Sequence, residues 1–151
     1  MVTPREAIEF LIDKAPATLK ENKSHAPIVF VFGRKENAIA LLRFKNSEAK
    51  YGMMLATGRR ARYLEPYCVA FISEAWMLTG ISPEGKQVHD MSDKQECLQV
   101  KAQSKDGITE GATIPFNRIG KEIFLGETMY APYTESNLLS LFWEAVNEQQ
   151  D

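Results

Sequence analysis

The run Tyr67-Cys68-Val69-Ala70-Phe71-Ile72-Ser73-Glu74-Ala75-Trp76-Met77-Leu78 constrains the fold of this chain more than any other segment. Its odd positions (Val69, Phe71, Ala75, Met77) and its even positions (Cys68, Ala70, Ile72, Trp76, Leu78) are both apolar. Successive side chains of a strand point to opposite faces of a sheet. A strand that is apolar on both faces needs cover on both, and belongs in the middle of its sheet. Glu74 breaks the pattern in the second half of the run. A carboxylate taken out of water is costly unless it is paired or protonated, so a partner is expected nearby.

The flanking segments supply the rest of a sheet and its cover. Thr3-Pro4-Arg5-Glu6 reads as a helix start, with a capping box and proline at the first helical position. Ala7, Ile8, Leu11, Ile12 and Ala15 follow as an apolar stripe. Pro16 is expected to end or kink this helix, with a short further turn over Ala17 to Glu21. Pro27 to Gly33 and Ala38 to Phe44 read as a hairpin around a turn at Arg34 to Asn37. Asn46 or Ser47 caps a second helix reaching to about Leu64, and Pro66 stops it. Gly58 weakens that helix by about 1 kcal/mol relative to alanine.

After the central strand, Thr79 to Lys94 reads as a long exposed loop. Gln95 to Gln103 alternates as an amphipathic strand, with Glu96, Leu98, Val100 and Ala102 on one face. Asp106-Gly107 marks a turn. Ala112 to Ile119 and Glu122 to Leu125 read as strands around Gly120, the first an edge or bulged strand because Pro115 cannot donate to a ladder. Gly126 to Glu135 read as a loop. Ser136 to Asn147 form a last helix with a wide apolar face, suited to docking on the sheet or to a subunit contact.

The order is therefore α-β-β-α-β-β-β-(β)-α. It predicts an α+β fold, with a single, mostly antiparallel sheet of five to six strands flanked by helices. In element order it resembles the roadblock and profilin-like group, a likeness of topology that implies no activity.

One domain over residues 1–151 is the natural reading of the length. A chain of this size buries a sufficient core without metal or disulfide. A net charge of -2 argues against general affinity for nucleic acid or anionic membranes. The two cysteines, Cys68 and Cys97, form no CxxC pair, and with His25 and His89 as the only histidines no zinc signature arises. Two reduced thiols, no visible signal peptide and no apolar run near the ~20 residues of a spanning helix suggest a cytoplasmic protein. No phosphate-cradling glycine motif and no nucleophile elbow occurs, and no cofactor or metal is expected.

One constellation stands out. If the central strand pairs antiparallel with the strand after the long loop, a register setting Trp76 opposite Glu96 places Glu74 one diagonal step away. Arg118 shares parity with Ile114 and Phe116 and points into the same region. Two close carboxylates can share a proton and form a general acid/base pair; the same residues also fit a Glu-Arg pair that fixes strand register. His89 and Asp93 in the long loop are further binding candidates, although their spacing matches no known metal loop. The basic cluster Arg59-Arg60-Ala61-Arg62 reads as a solvated helix end.

The strand ending Ser73-Glu74-Ala75-Trp76-Met77, followed by a loop and Asp93-Lys94-Gln95-Glu96-Cys97-Leu98, resembles small uncharacterised bacterial, archaeal and phage proteins. There a Glu-Ala-Trp strand precedes an Asp-Arg-x-Glu strand, and a later strand carries an arginine matched here by Arg118. Lys94 stands where an arginine is usual, and lacks its bidentate geometry. The likeness spans roughly residues 67 to 120 and implies that Glu74, Trp76, Glu96 and Arg118 belong together, without implying an activity. The expectation is a small cytoplasmic binding or regulatory domain of phage or mobile-element origin. Its partner would be another protein, or a second copy met through the last helix. The alternative is a small hydrolase or lyase using Glu74 and Glu96, with Arg118 holding an anionic group.

Overall fold

The computed structural model describes residues 1–78, 94–132 and 134–148. His89 and Asp93 lie outside the described residues, as does the long loop apart from Lys94.

Helix α1 spans Pro4–Asn22. The Thr3 hydroxyl accepts from the Glu6 N–H at 3.1 Å, and the Glu6 carboxylate accepts from the Thr3 N–H at 3.2 Å. This completes the capping box. Pro16 neither ends nor breaks the helix, contrary to the sequence expectation. It removes one backbone bond, but Ala15 and Leu19 on either side are buried against the sheet and hold the last turns in place. Lys23 then closes the helix in the left-handed region, at φ 61°.

Strands β1 (Ile28–Gly33) and β2 (Ala38–Leu41) form the hairpin. Helix α2 (Ser47–Ala61) is capped by Asn46, whose side chain accepts from the Ala49 N–H. A 3-10 turn, Arg62–Leu64, leads into β3 (Pro66–Leu78). Strands β4 (Lys94–Ser104), β5 (Thr109–Ile119), β6 (Glu122–Leu125) and β7 (Met129–Pro132) follow, and α3 (Asn137–Val146) closes the order.

The seven strands form one sheet in the order β2-β1-β3-β4-β5-β6, with β7 also paired to β5. Every pairing described is antiparallel. The fold is α+β, and β3 is internal, flanked by β1 and β4. Two expectations for the C-terminal half are corrected. The segment read as a loop contains β7, which pairs with the first half of β5 while β6 takes the second. For the same reason β5 is not an edge strand. Pro115 sits where β7 gives way to β6; its carbonyl accepts from the Gly126 N–H at 2.7 Å on that side. The ring nitrogen faces the same side, so the missing donor costs no ladder bond.

The sheet has two cores. On one face α1 lays Ala7, Ile8, Leu11, Ala15 and Leu19 over Cys68, Ala70, Ile72, Leu98, Val100, Ile114 and Phe116. On the other, α2 and α3 cover Val29, Val31, Val69 and Phe71 with Met54, Leu139, Phe142 and Trp143. Residues 68–72 of β3 thus feed both cores, as their two-sided apolar pattern requires. The apolar face of α3 is docked within its own chain, with Leu138, Leu139, Phe142, Trp143 and Ala145 all buried.

Candidate functional site

Alternation places Ile72, Glu74 and Trp76 of β3 on the face that α1 covers. The observed register sets Trp76 opposite Glu96, and Glu74 opposite Leu98. On β5, Ile114 opposes Leu98, and Arg118 lies four residues further on, on the same face. Helix α1 ends before this region. The core of its face therefore gives way to Glu74, Glu96, Arg118 and Trp76, just past the helix C-terminus.

Arg118 is the hub. Its Nε donates to both oxygens of Glu96, at 3.0 and 3.2 Å. Nη2 donates to Oε1 of Glu74 at 2.8 Å, and Nη1 donates to the Lys23 carbonyl at 2.6 Å. That carbonyl closes α1, where the macrodipole favours a cation. The second oxygen of Glu74 accepts from the backbone N–H of His25 at 3.0 Å. His25 is buried, and its Nδ1 lies 2.8 Å from the Ala26 carbonyl oxygen. The side chains of Arg118, Glu74 and Glu96 are 36, 30 and 27% exposed, so the group straddles the boundary between core and solvent.

The arrangement ties the chain after α1 to two strands of the sheet. A cation between the carboxylates removes the uncompensated contact on which a proton-sharing pair depends. The nearby depression of about 300 Å³ is lined by Lys23, Arg118, Gly120, Lys121, Glu122 and Ile123, and by neither Glu74 nor Glu96. Trp76 is 45% exposed. Lys94 sets its Nζ 4.5 Å from the Trp76 ring centroid and acts as a cation over an aromatic face. Among the described residues, no group of three or more His, Cys, Asp or Glu is placed to hold a metal ion.

Sequence reasoning brings together Glu74, Glu96, Arg118 and Trp76, and the structure sets them side by side. It misses the Lys23 carbonyl and the His25 N–H. Both are backbone groups, and residue identity carries no signal for them.

The comparison with protein families extends over nearly all these elements. The family model described as bacteriophage lambda protein ea47 matches residues 3–144. The chain belongs to that family. The ea47 match takes in α1, the whole sheet and most of α3, with Glu74, Glu96 and Arg118 inside it. No curated protein and no solved structure matches the chain.

Proposed function

We propose that this ea47-family chain is a phage-encoded binding domain without catalytic activity. Its partner is an extended, acidic and apolar segment of another protein, added along strand β2. The observation that carries this reading is the condition of the sheet's β2 edge. Ile39 and Leu41 are 66 and 44% exposed there.

Edge strands normally avoid such exposure with charges or cover, because an open edge is a template for further pairing. Ile39 and Leu41 oppose Phe30 and Ile28 of β1. The exposed Phe10 of α1 stands at the same patch, its ring centroid 5.1 Å from that of Phe30. Lys14 sets its Nζ 5.1 Å from the Phe10 ring centroid, and Arg43 and Lys45 follow β2 in the chain; all three are exposed and make no ion pair among the described residues. Strand addition supplies main-chain hydrogen bonds, alternate side chains meet the apolar patch, and acidic neighbours meet the basic rim. The docking of α3 on its own sheet moves the contact away from the last helix and toward this edge.

The catalytic alternative rests on Glu74 and Glu96 acting as acid and base. Arg118 holds both, and the Lys23 carbonyl takes a further N–H of its guanidinium, which suits a brace better than a reacting centre. We place the domain in the cytoplasm, where free thiols such as Cys68 and Cys97 persist.

A photo-crosslinking residue at position 39, in host cells carrying the phage, tests the proposal. The expected result is one defined adduct with another protein, lost in a Leu41→Lys background and absent when the crosslinker sits at position 121. No adduct, or one indifferent to Leu41→Lys, overturns the proposal. An adduct of twice the chain's own mass replaces the partner with a second copy.

A further inference from the structure

At the opposite end of β3 from Glu74, two adjoining cavities of about 410 and 520 Å³ share a wall made by Arg34, Tyr67 and Lys105. Their sizes fall in the range of small-molecule sites. Val2, Pro4, Tyr67 and Ile108 supply the apolar part of the larger cavity's lining. We propose that this cleft binds a small amphiphilic acid, with its carboxylate at Arg34 and Lys105 and its apolar body over Tyr67 and Ile108.

Charge accounting across the cleft carries the assignment. Two carboxylates line the smaller cavity, and both are committed elsewhere. Glu65 pairs with Lys35 at 3.5 Å, and Glu148 is held by Arg59 and Arg62 at 2.9 and 3.0 Å. Arg62 also donates twice to the Ala145 carbonyl. Asp106 lines the larger cavity and not the smaller; it accepts from the Ser104 hydroxyl, a neutral donor that leaves its charge in place.

The side chains of Arg34 and Lys105 make no hydrogen bond or ion pair among the described residues; only their backbone N–H groups are engaged, with the Glu65 and Tyr67 carbonyls. Against the single unpaired carboxylate of Asp106, the two cations on the shared wall leave a net positive potential there. Arginine's planar fork suits a carboxylate better than a point cation does. The Tyr67 hydroxyl accepts from the Val2 N–H at 3.2 Å, which leaves its own hydrogen free to donate to the same anion. The start of α1, at Thr3 and Pro4, presents its positive end to the apolar cavity and adds to the field.

The anchoring is rigid. Backbone bonds from Arg34 and Lys35 to the Glu65 and Leu64 carbonyls, and from Lys105 to Tyr67, tie the main chain of both residues to the start of β3 and the segment leading into it. The site is independent of the β2 edge, and loss of one leaves the other standing.

The test is a titration of the full chain with octanoate, octanamide and inorganic phosphate, followed by backbone amide NMR. Octanoate is expected to shift the amides of Val2, Arg34, Tyr67, Lys105 and Ile108, and to bind about tenfold more tightly than octanamide. Arg34→Gln and Lys105→Gln should each reduce octanoate to the octanamide level. Neither variant removes a side-chain hydrogen bond or ion pair among the described residues, and both positions are exposed, so both are expected to stay folded. Equal binding of octanoate and octanamide overturns the charge assignment. Phosphate binding as tightly as octanoate overturns the apolar one. No shift at millimolar octanoate overturns the site.

Discussion

At the scale of single residues, Arg118 carries more of the fold than its exposure suggests. Ion pairs at a surface contribute about 0–1 kcal/mol each, because water already serves the charges well. Arg118 differs in that its three partners are only partly solvated and one is a helix-closing carbonyl. Truncating it leaves two half-covered carboxylates beside each other and an orphaned acceptor at the end of α1. Arg118→Met is therefore expected to lower stability by about 1–3 kcal/mol, several degrees of melting temperature for a chain of this length. Arg118→Lys should recover little, since one ammonium cannot span three acceptors set around a planar fork. Glu74→Gln should cost less, because an amide oxygen still accepts from Arg118 or from the His25 N–H. Chemical denaturation of the three variants checks this order. An unaltered Arg118→Met would remove the brace from the account and return the cluster to candidates for chemistry.

At the scale of elements, two helices meet at a glycine that the sequence presents only as a weakness. A Cβ at Gly58 would lie 2.5 Å from the Phe142 carbonyl oxygen and 2.8 Å from Ala145 Cβ. The backbones of α2 and α3 approach each other there, which lets Phe142 and Trp143 reach the core beneath. Gly58→Ala gains about 1 kcal/mol of helix propensity, but forcing the helices apart in a packed region costs about 1–3 kcal/mol. The second effect involves backbone atoms that cannot turn aside, so the substitution should destabilise by about 1 kcal/mol or more. Equilibrium unfolding in urea decides the sign, and a stabilised variant would show that α3 can shift at little cost. This close approach marks where sequence reading stopped. Period and capping residues are local, so α1, α2, α3 and the central strand were legible from the chain alone. The local preference of Pro16 to end a helix is overridden by the tertiary burial of Ala15 and Leu19. Strand β7 leaves no signal in the sequence because Met129 to Pro132 is exposed throughout and carries no alternation; only its pairing with β5 makes it a strand. Among the site residues, parity placed Glu74, Glu96 and Arg118 on one face. The backbone acceptor and donor that complete the cluster depend on where α1 ends.

At the scale of the whole molecule, the two-sided burial of β3 also sets how the protein responds to alkali. Cys68 is fully buried beneath α1, and burial pushes its thiol from an ordinary 9.0 up to about 12. Burial raises the Cys97 thiol as well. Lys50 moves the other way: partial burial between the rings of Phe44 and Phe71, and then the nearby Lys101, lower its pKa from 10.5. The signs oppose. A thiol held neutral in the fold keeps its proton when the unfolded chain has lost it, so stability falls as pH rises above 9.0. An ammonium disfavoured in the fold loses its proton before the unfolded chain does, so Lys50 makes stability rise with pH in the window below 10.5. Each thiol contributes at most about 1.4 kcal/mol per pH unit, which for Cys68 alone amounts to roughly 4 kcal/mol between pH 9 and 12. Two thiols act against one half-exposed lysine, so stability should fall through this range. Cys68→Ala is expected to flatten the fall even though it lowers stability at neutral pH by leaving a small void. Lys50→Met should steepen the fall below pH 10.5. Urea unfolding at several pH values reads these slopes directly. An unchanged slope for Cys68→Ala would mean that the fold opens around β3 before its thiol is titrated, and that α1 is a looser cover than its packing indicates.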